Sequence, residues 1–178
     1  GTRGVGKTTF LLQYAKEKFG TDRSCLFINM NNFYFSGHSI VDFANEFQKR
    51  GGKVLLIDQV FKHPDWSREL RMCYDRFPNL KIVFTGSSVM RLKEENLELR
   101  DIVKSYNLRG FSFREFLNLQ TGMKFRHYTL EEILSSHEQI AKGVLSKVRP
   151  LDYFQDYLHH GFYPLSLIHI SEPTRLLS

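Results

Sequence analysis

The stretch that most constrains this chain is its opening, Gly1-Thr2-Arg3-Gly4-Val5-Gly6-Lys7-Thr8-Thr9. Its first eight residues fit G-x-x-x-x-G-K-[ST], a loop whose backbone can wrap phosphate oxygens. Gly1, Gly4 and Gly6 permit the positive φ values and close approach that turn successive amide N–H groups inward. Lys7 then sets a compact positive charge for the β- and γ-phosphates, and the Thr8 hydroxyl is suited to Mg²⁺. The helix expected to start here points its positive dipole end at the same anion. A loop of this kind normally leaves the end of a buried strand, so a first strand is expected ahead of Gly1.

The rest of the chain alternates between two periodicities. Phe10, Leu11, Tyr14, Ala15 and Lys18 keep helical spacing up to Gly20, and Cys25 to Met30 is an apolar run suited to a buried strand. Asn31 to Gly37 reads as a loop. Ser39 with Asp42 starts a helix that carries Ile40, Phe43, Ala44 and Phe47 on one face. Gly51-Gly52 ends that helix, and Lys53 to Asp58 is a continuous apolar strand ending in an acid. Pro64-Asp65 opens a helix with Trp66, Leu70, Cys73, Tyr74 and Phe77 as its core stripe, and Leu80 to Thr85 is the next strand. The pattern predicts an α/β fold, a parallel sheet flanked by helices. Val89 to Asp101 is polar and irregular or weakly helical, and Lys104 to Leu108 reads as one more strand. Ser112 to Glu115 and Thr129 to Glu132 are capping boxes, and residues 129–161 read as mostly helical.

Asp58 is the second chemical landmark, because ligands of parallel sheets bind at the carboxyl ends of the strands. It is expected to serve Mg²⁺ with Thr8, either directly or through the metal's outer shell. Gln59 follows it. An amide cannot take a proton from an attacking water as a glutamate would, although it can orient one. Thr85, with Ser87 and Ser88, ends the neighbouring strand, where hydroxyls could read the γ-phosphate or bond within a turn. His159, His160 and His169 lack metal-ligand spacing and are read as surface residues.

Composition narrows the class further. The net charge is +6, from 25 basic and 19 acidic residues, but the basic residues are scattered. A solvated basic surface is therefore favoured over a nucleic-acid face. Cys25 and Cys73 read as buried free thiols, which suits a reducing cytoplasm. No apolar stretch reaches membrane-spanning length, and no membrane partner is expected.

With these residues placed, the chain resembles the ATPase domain of a bacterial and archaeal family in the AAA+ group of P-loop ATPases. The resemblance runs from Gly1 to about Pro164. It rests on residues 1–9, Leu-Leu-Ile-Asp at 55–58, His-Pro-Asp-Trp-Ser-Arg-Glu-Leu at 63–70, Lys-Ile-Val-Phe-Thr-Gly-Ser-Ser at 81–88 and Gly-Phe-Ser-Phe-Arg-Glu-Phe-Leu at 110–117. It implies a core over 1–121, lacking its first strand, and the start of a helical lid over 122–164. Family members usually continue into a C-terminal, nuclease-like domain. Residues 165–178 instead resemble translated sequencing adapter, and a non-native or disordered tail is expected there.

By that resemblance Gly1, Thr2, Arg3, Gly4, Val5, Gly6, Lys7, Thr8 and Thr9 hold ATP, Thr8 and Asp58 serve Mg²⁺, and Thr85 is the sensor. Gln59 stands where the family usually has its catalytic glutamate. Asp101 and Ile102 replace an arginine pair that could reach a neighbouring subunit's phosphate, leaving Arg100 as the candidate finger of a homo-oligomer. Two readings follow: an ATP-binding ATPase module with impaired hydrolysis, or a nucleotide-switched module that binds DNA or protein. A third, an inert fragment, follows if the strands beside the absent first strand expose unpaired edges.

Overall fold

A computed structural model of the chain describes residues 4–86 and 97–163. Contacts divide it into two compact units, Gly1–Leu108 and Arg109–Ser178. The first is built on three parallel strands, β1 (Cys25–Asn29), β2 (Val54–Asp58) and β3 (Lys81–Phe84), in the order β1-β2-β3. All five residues of β2 are buried, as a central strand covered on both faces requires.

The two faces of β2 fill separate cores. Leu55 and Ile57 join Ile28 of β1 under α2 (Ile40–Lys49) and α3 (Trp66–Arg76), which contribute Ile40, Val41, Ala44, Leu70 and Cys73. Val54 and Leu56 face the opposite way and meet Leu11 of α1 (Lys7–Lys18). Helices thus cover both sides of the sheet, with α2 joining β1 to β2 and α3 joining β2 to β3.

The helix starts follow the expected chemistry in part. The Ser39 side chain accepts from the Asp42 amide at 3.0 Å, one bond of an N-cap. Asp65 precedes α3 in a left-handed conformation, φ 54°, and its side chain makes no capping bond. The expected stripes need trimming at their edges. Phe10 is 59% exposed and Tyr74 57% exposed, whereas Leu11, Leu70 and Cys73 face inward.

Lys104 to Leu108 is not a strand. Lys104, Ser105, Tyr106 and Asn107 are exposed and no described strand pairs with them. Alternation without a partner ladder does not make a strand. The sequence just before it does contribute to packing: Leu99 is buried against the α2–α3 cluster, with Ile102 and Val103 beside it. Cys73 is buried as expected, and burial, aided by the Glu69 charge, pushes its thiol up to about 12. Cys25 is only half-buried, because it lies at the start of β1 where the α1 side of the core ends.

The second unit contains α4 (Phe113–Thr121), α5 (Leu130–Leu145) and α6 (Pro150–Asp156), followed by a π-helical turn over Tyr157–Gly161. Both expected capping boxes form, Ser112 with Glu115 and Thr129 with Glu132. A break at Ser136, φ −141°, interrupts α5. Phe113, Phe116, Phe154 and Tyr157 pack ring against ring. Gly110 passes so close to the Phe162 carbonyl and ring that a Cβ would not fit. The expected tail, 165–178, lies outside the described residues.

Packing at the centre of the sheet sets a graded expectation. Ile57→Val should cost about 0.5–1.5 kcal/mol and Ile57→Ala about 2–5 kcal/mol, measured as the shift of a urea unfolding midpoint at constant slope.

Candidate functional site

Three strands ending at the same edge bring three polar side chains level. In the β1–β2 register Asn29 stands opposite Asp58, and Thr85 follows directly on β3. The Asp58 side chain is the meeting point and is 1% exposed. Thr8, on the first turn of α1, donates its hydroxyl to Asp58 Oδ2 at 2.8 Å, across 50 residues of sequence. Asn29 Nδ2 donates to the same oxygen at 3.0 Å. Thr85 Oγ1 donates to Oδ1 at 2.5 Å and itself accepts the Gln59 N–H at 3.0 Å. A buried carboxylate needs such donors, because leaving one unpaired costs several kcal/mol.

The loop before α1 has the backbone that glycine permits. Gly4 and Gly6 sit at φ 81° and 89°. A Cβ on Gly6 would meet no atom, so its backbone angle, not its space, calls for glycine. No side-chain cap and no acid occupies the first turn of α1. The positive end of the α1 dipole is therefore directed at the loop with no acid in its own first turn to offset it. Burial lowers the Lys7 ammonium below its ordinary range, and the charge of Asp58 opposes that shift.

Gln59 occupies the left-handed region, φ 55° and ψ 43°, which is uncommon for a residue with a side chain. Its N–H bond to the Thr85 hydroxyl, and the Val60 N–H bond to the Thr85 carbonyl at 3.1 Å, fasten the turn after β2 to the end of β3. Thr85 thus holds both Asp58 and the backbone of Gln59.

Other expected site residues fall elsewhere. Gly1, Thr2, Arg3, Ser87, Ser88 and His169 lie outside the described residues. Thr9 is exposed on α1 and Val5 is buried beneath the loop. Arg100 is exposed, and no described hydrogen bond or ion pair links it to Thr8, Asp58 or Thr85. Its neighbour Asp101 is engaged by Arg71, with both oxygens within 3.1 Å. His159 and His160 are exposed. Among the described residues no group of three or more His, Cys, Asp or Glu could hold a metal ion by itself.

Two features went unmarked in the sequence. One is Asn29, whose signal was a polar residue at the carboxyl end of an apolar run. The other is a buried pair: His63 Nε2 lies 3.2 Å from Glu69 Oε2, which also accepts the Ile40 N–H at the start of α2. The motif at 63–70 is therefore a clasp between the β2–α3 turn and α2. His63 Nδ1 is buried without a hydrogen-bond partner.

A family model described as an AAA domain matches residues 1–117, two-thirds of the chain. The chain belongs to the AAA domain family. Comparisons with curated proteins and with solved structures find no match. As an AAA domain the chain is an ATPase-like, nucleotide-binding module of P-loop type, and its three-stranded parallel sheet with flanking helices is of that kind. Among the described residues of this AAA domain, no helix is long and apolar enough to cross a membrane.

The electrostatics at Lys7 can be tested in isolation. Asp58→Asn removes the charge that supports the ammonium, so the Lys7 pKa should fall further. Lysine side-chain NMR across an alkaline titration reads this directly; an unchanged Lys7 resonance would separate the two groups.

Proposed function

We propose that this AAA domain binds ATP with Mg²⁺, and that Gln59 leaves its hydrolysis slow. The observation that carries the reading is the 2.8 Å bond between Thr8 and Asp58. It joins the residue after the P-loop lysine to the acid at the end of β2, as a site for a metal-bound triphosphate requires. The donor set fits the group: left-handed glycines, a helix start free of acid, a lysine, a hydroxyl and a buried carboxylate.

In this reading the residues from Gly1 to Thr9 cradle the phosphates, with Val5 anchoring the loop in the core, and Lys7 supplies the charge on the β- and γ-groups. Thr8 and Asp58 would hold Mg²⁺, which neutralises phosphate charge when bound. Thr85 fixes the rotamer of Asp58 and, through the Gln59 N–H, the backbone on which a water would be oriented. Gln59 can donate to or accept from that water but cannot take its proton. Arg100 stands as the residue offered to a neighbouring subunit's phosphate.

Gln59 also favours a second reading. A site that binds without fast turnover suits a switch, with nucleotide occupancy gating a DNA or protein partner. DNA affinity that is equal with and without nucleotide would count against DNA as that partner.

The reading is tested on two variants. Lys7→Ala should abolish Mg-ATP binding in a calorimetric titration. Gln59→Glu should raise turnover by about 10²–10⁴-fold, the usual worth of a general base. Unchanged phosphate release in a variant that still binds ATP would remove the role given to Gln59.

A further inference from the structure

We propose that Asn29 is a positioning residue that sets how the Asp58 carboxylate meets the metal. The inference rests on the ATP–Mg²⁺ reading and deepens it.

The orientation of the Asn29 amide follows from its two ends. Its Oδ1 accepts the Asn31 N–H at 2.8 Å, and its Nδ2 donates to Asp58 Oδ2 at 3.0 Å. Turning the amide over would set oxygen against carboxylate oxygen and NH₂ against N–H, so both contacts select one orientation. Asn29 is therefore a fixed donor, held by the loop that follows β1 and carried at strand register opposite its target.

A carboxylate offers about four acceptor positions, two on each oxygen. Thr8 and Asn29 take both positions on Oδ2, and Thr85 takes one on Oδ1. Among the described hydrogen bonds, Oδ2 thus carries two donors and Oδ1 one. In that arrangement Asp58 would serve Mg²⁺ through Oδ1, with Oδ2 held by Thr8 and Asn29. Without Asn29, Oδ2 regains an open position and the carboxylate is held by Thr8 and Thr85 alone. Asn29 thus works through Asp58.

The same residue ties the site to its surroundings. Asn31 lies on the wall of a cavity of about 380 Å³ that also carries Asn32, Phe33, Lys62 and Pro64. The Asn29 side-chain amide thus bonds both Asp58 and the backbone N–H of Asn31 on that wall.

Asn29→Leu keeps the approximate shape and deletes the donor, and Asn29→Ala deletes it without added bulk. Wild type and both variants of the full chain are titrated with ATP, once with Mg²⁺ and once with a chelator, and each is melted. Partners behind a metal ligand are typically worth about 10–100-fold in metal affinity, so Mg-ATP binding should weaken by about that factor while metal-free ATP binding stays within about twofold. Mn²⁺ retention on the ATP complex, read by electron paramagnetic resonance, should fall in parallel. Equal losses with and without metal would assign Asn29 to the general shape of the edge and overturn the proposal. So would unchanged Mg²⁺ dependence in a variant that melts like wild type. Failure of the wild type itself to bind ATP would instead remove the underlying ATP reading, and this inference with it.

Discussion

A carboxylate buried to 1% exposure cannot be left to solvent, and the edge of the sheet at the carboxyl ends of its strands is arranged around that requirement. Asp58 is the last residue of the central strand, and its oxygens collect donors from α1, β1 and the end of β3. Each donor comes from a separate element, so the carboxylate cross-links the sheet to the helix that bears Lys7 and Thr8. The apolar faces of β2 fill the cores above and below, and its terminal acid fixes the edge. Folding and site assembly are in this sense one event.

Much of this was legible in the sequence because the relevant signals are local. A continuous apolar run marks β2, glycines at fixed offsets mark the loop, and Ser-x-x-Glu or Thr-x-x-Glu marks two helix starts in the second unit. The pairing of Thr8 with Asp58 could be anticipated because motif and strand end both point to one crevice. What escaped notice depends on register. Asn29 is an ordinary polar strand end until β1 is laid beside β2, and only then does its amide face a carboxylate 29 residues away. The clasp of His63, Glu69 and the Ile40 amide is equally non-local.

Where local signals misled, the missing ingredient was a partner surface. Residues 104–108 alternate as a strand does, yet no described strand lies alongside to complete their hydrogen bonds. Phe10 and Tyr74 keep the helical period but sit at the margin of their stripes, so the sheet covers their neighbours and not them. Periodicity identifies a face; the width of the opposing surface decides how much of it is covered.

The left-handed backbone at Gln59 has a consequence for how this position can vary. A φ of 55° crowds any side chain branched at Cβ, so valine, isoleucine and threonine are disfavoured there on steric grounds alone. Glutamine and glutamate share one skeleton and place the same demands on that backbone. Genetic drift or chemical deamidation could therefore exchange a neutral group for an anionic one without moving the main chain, and the turn would carry either electrostatic state with the same fold.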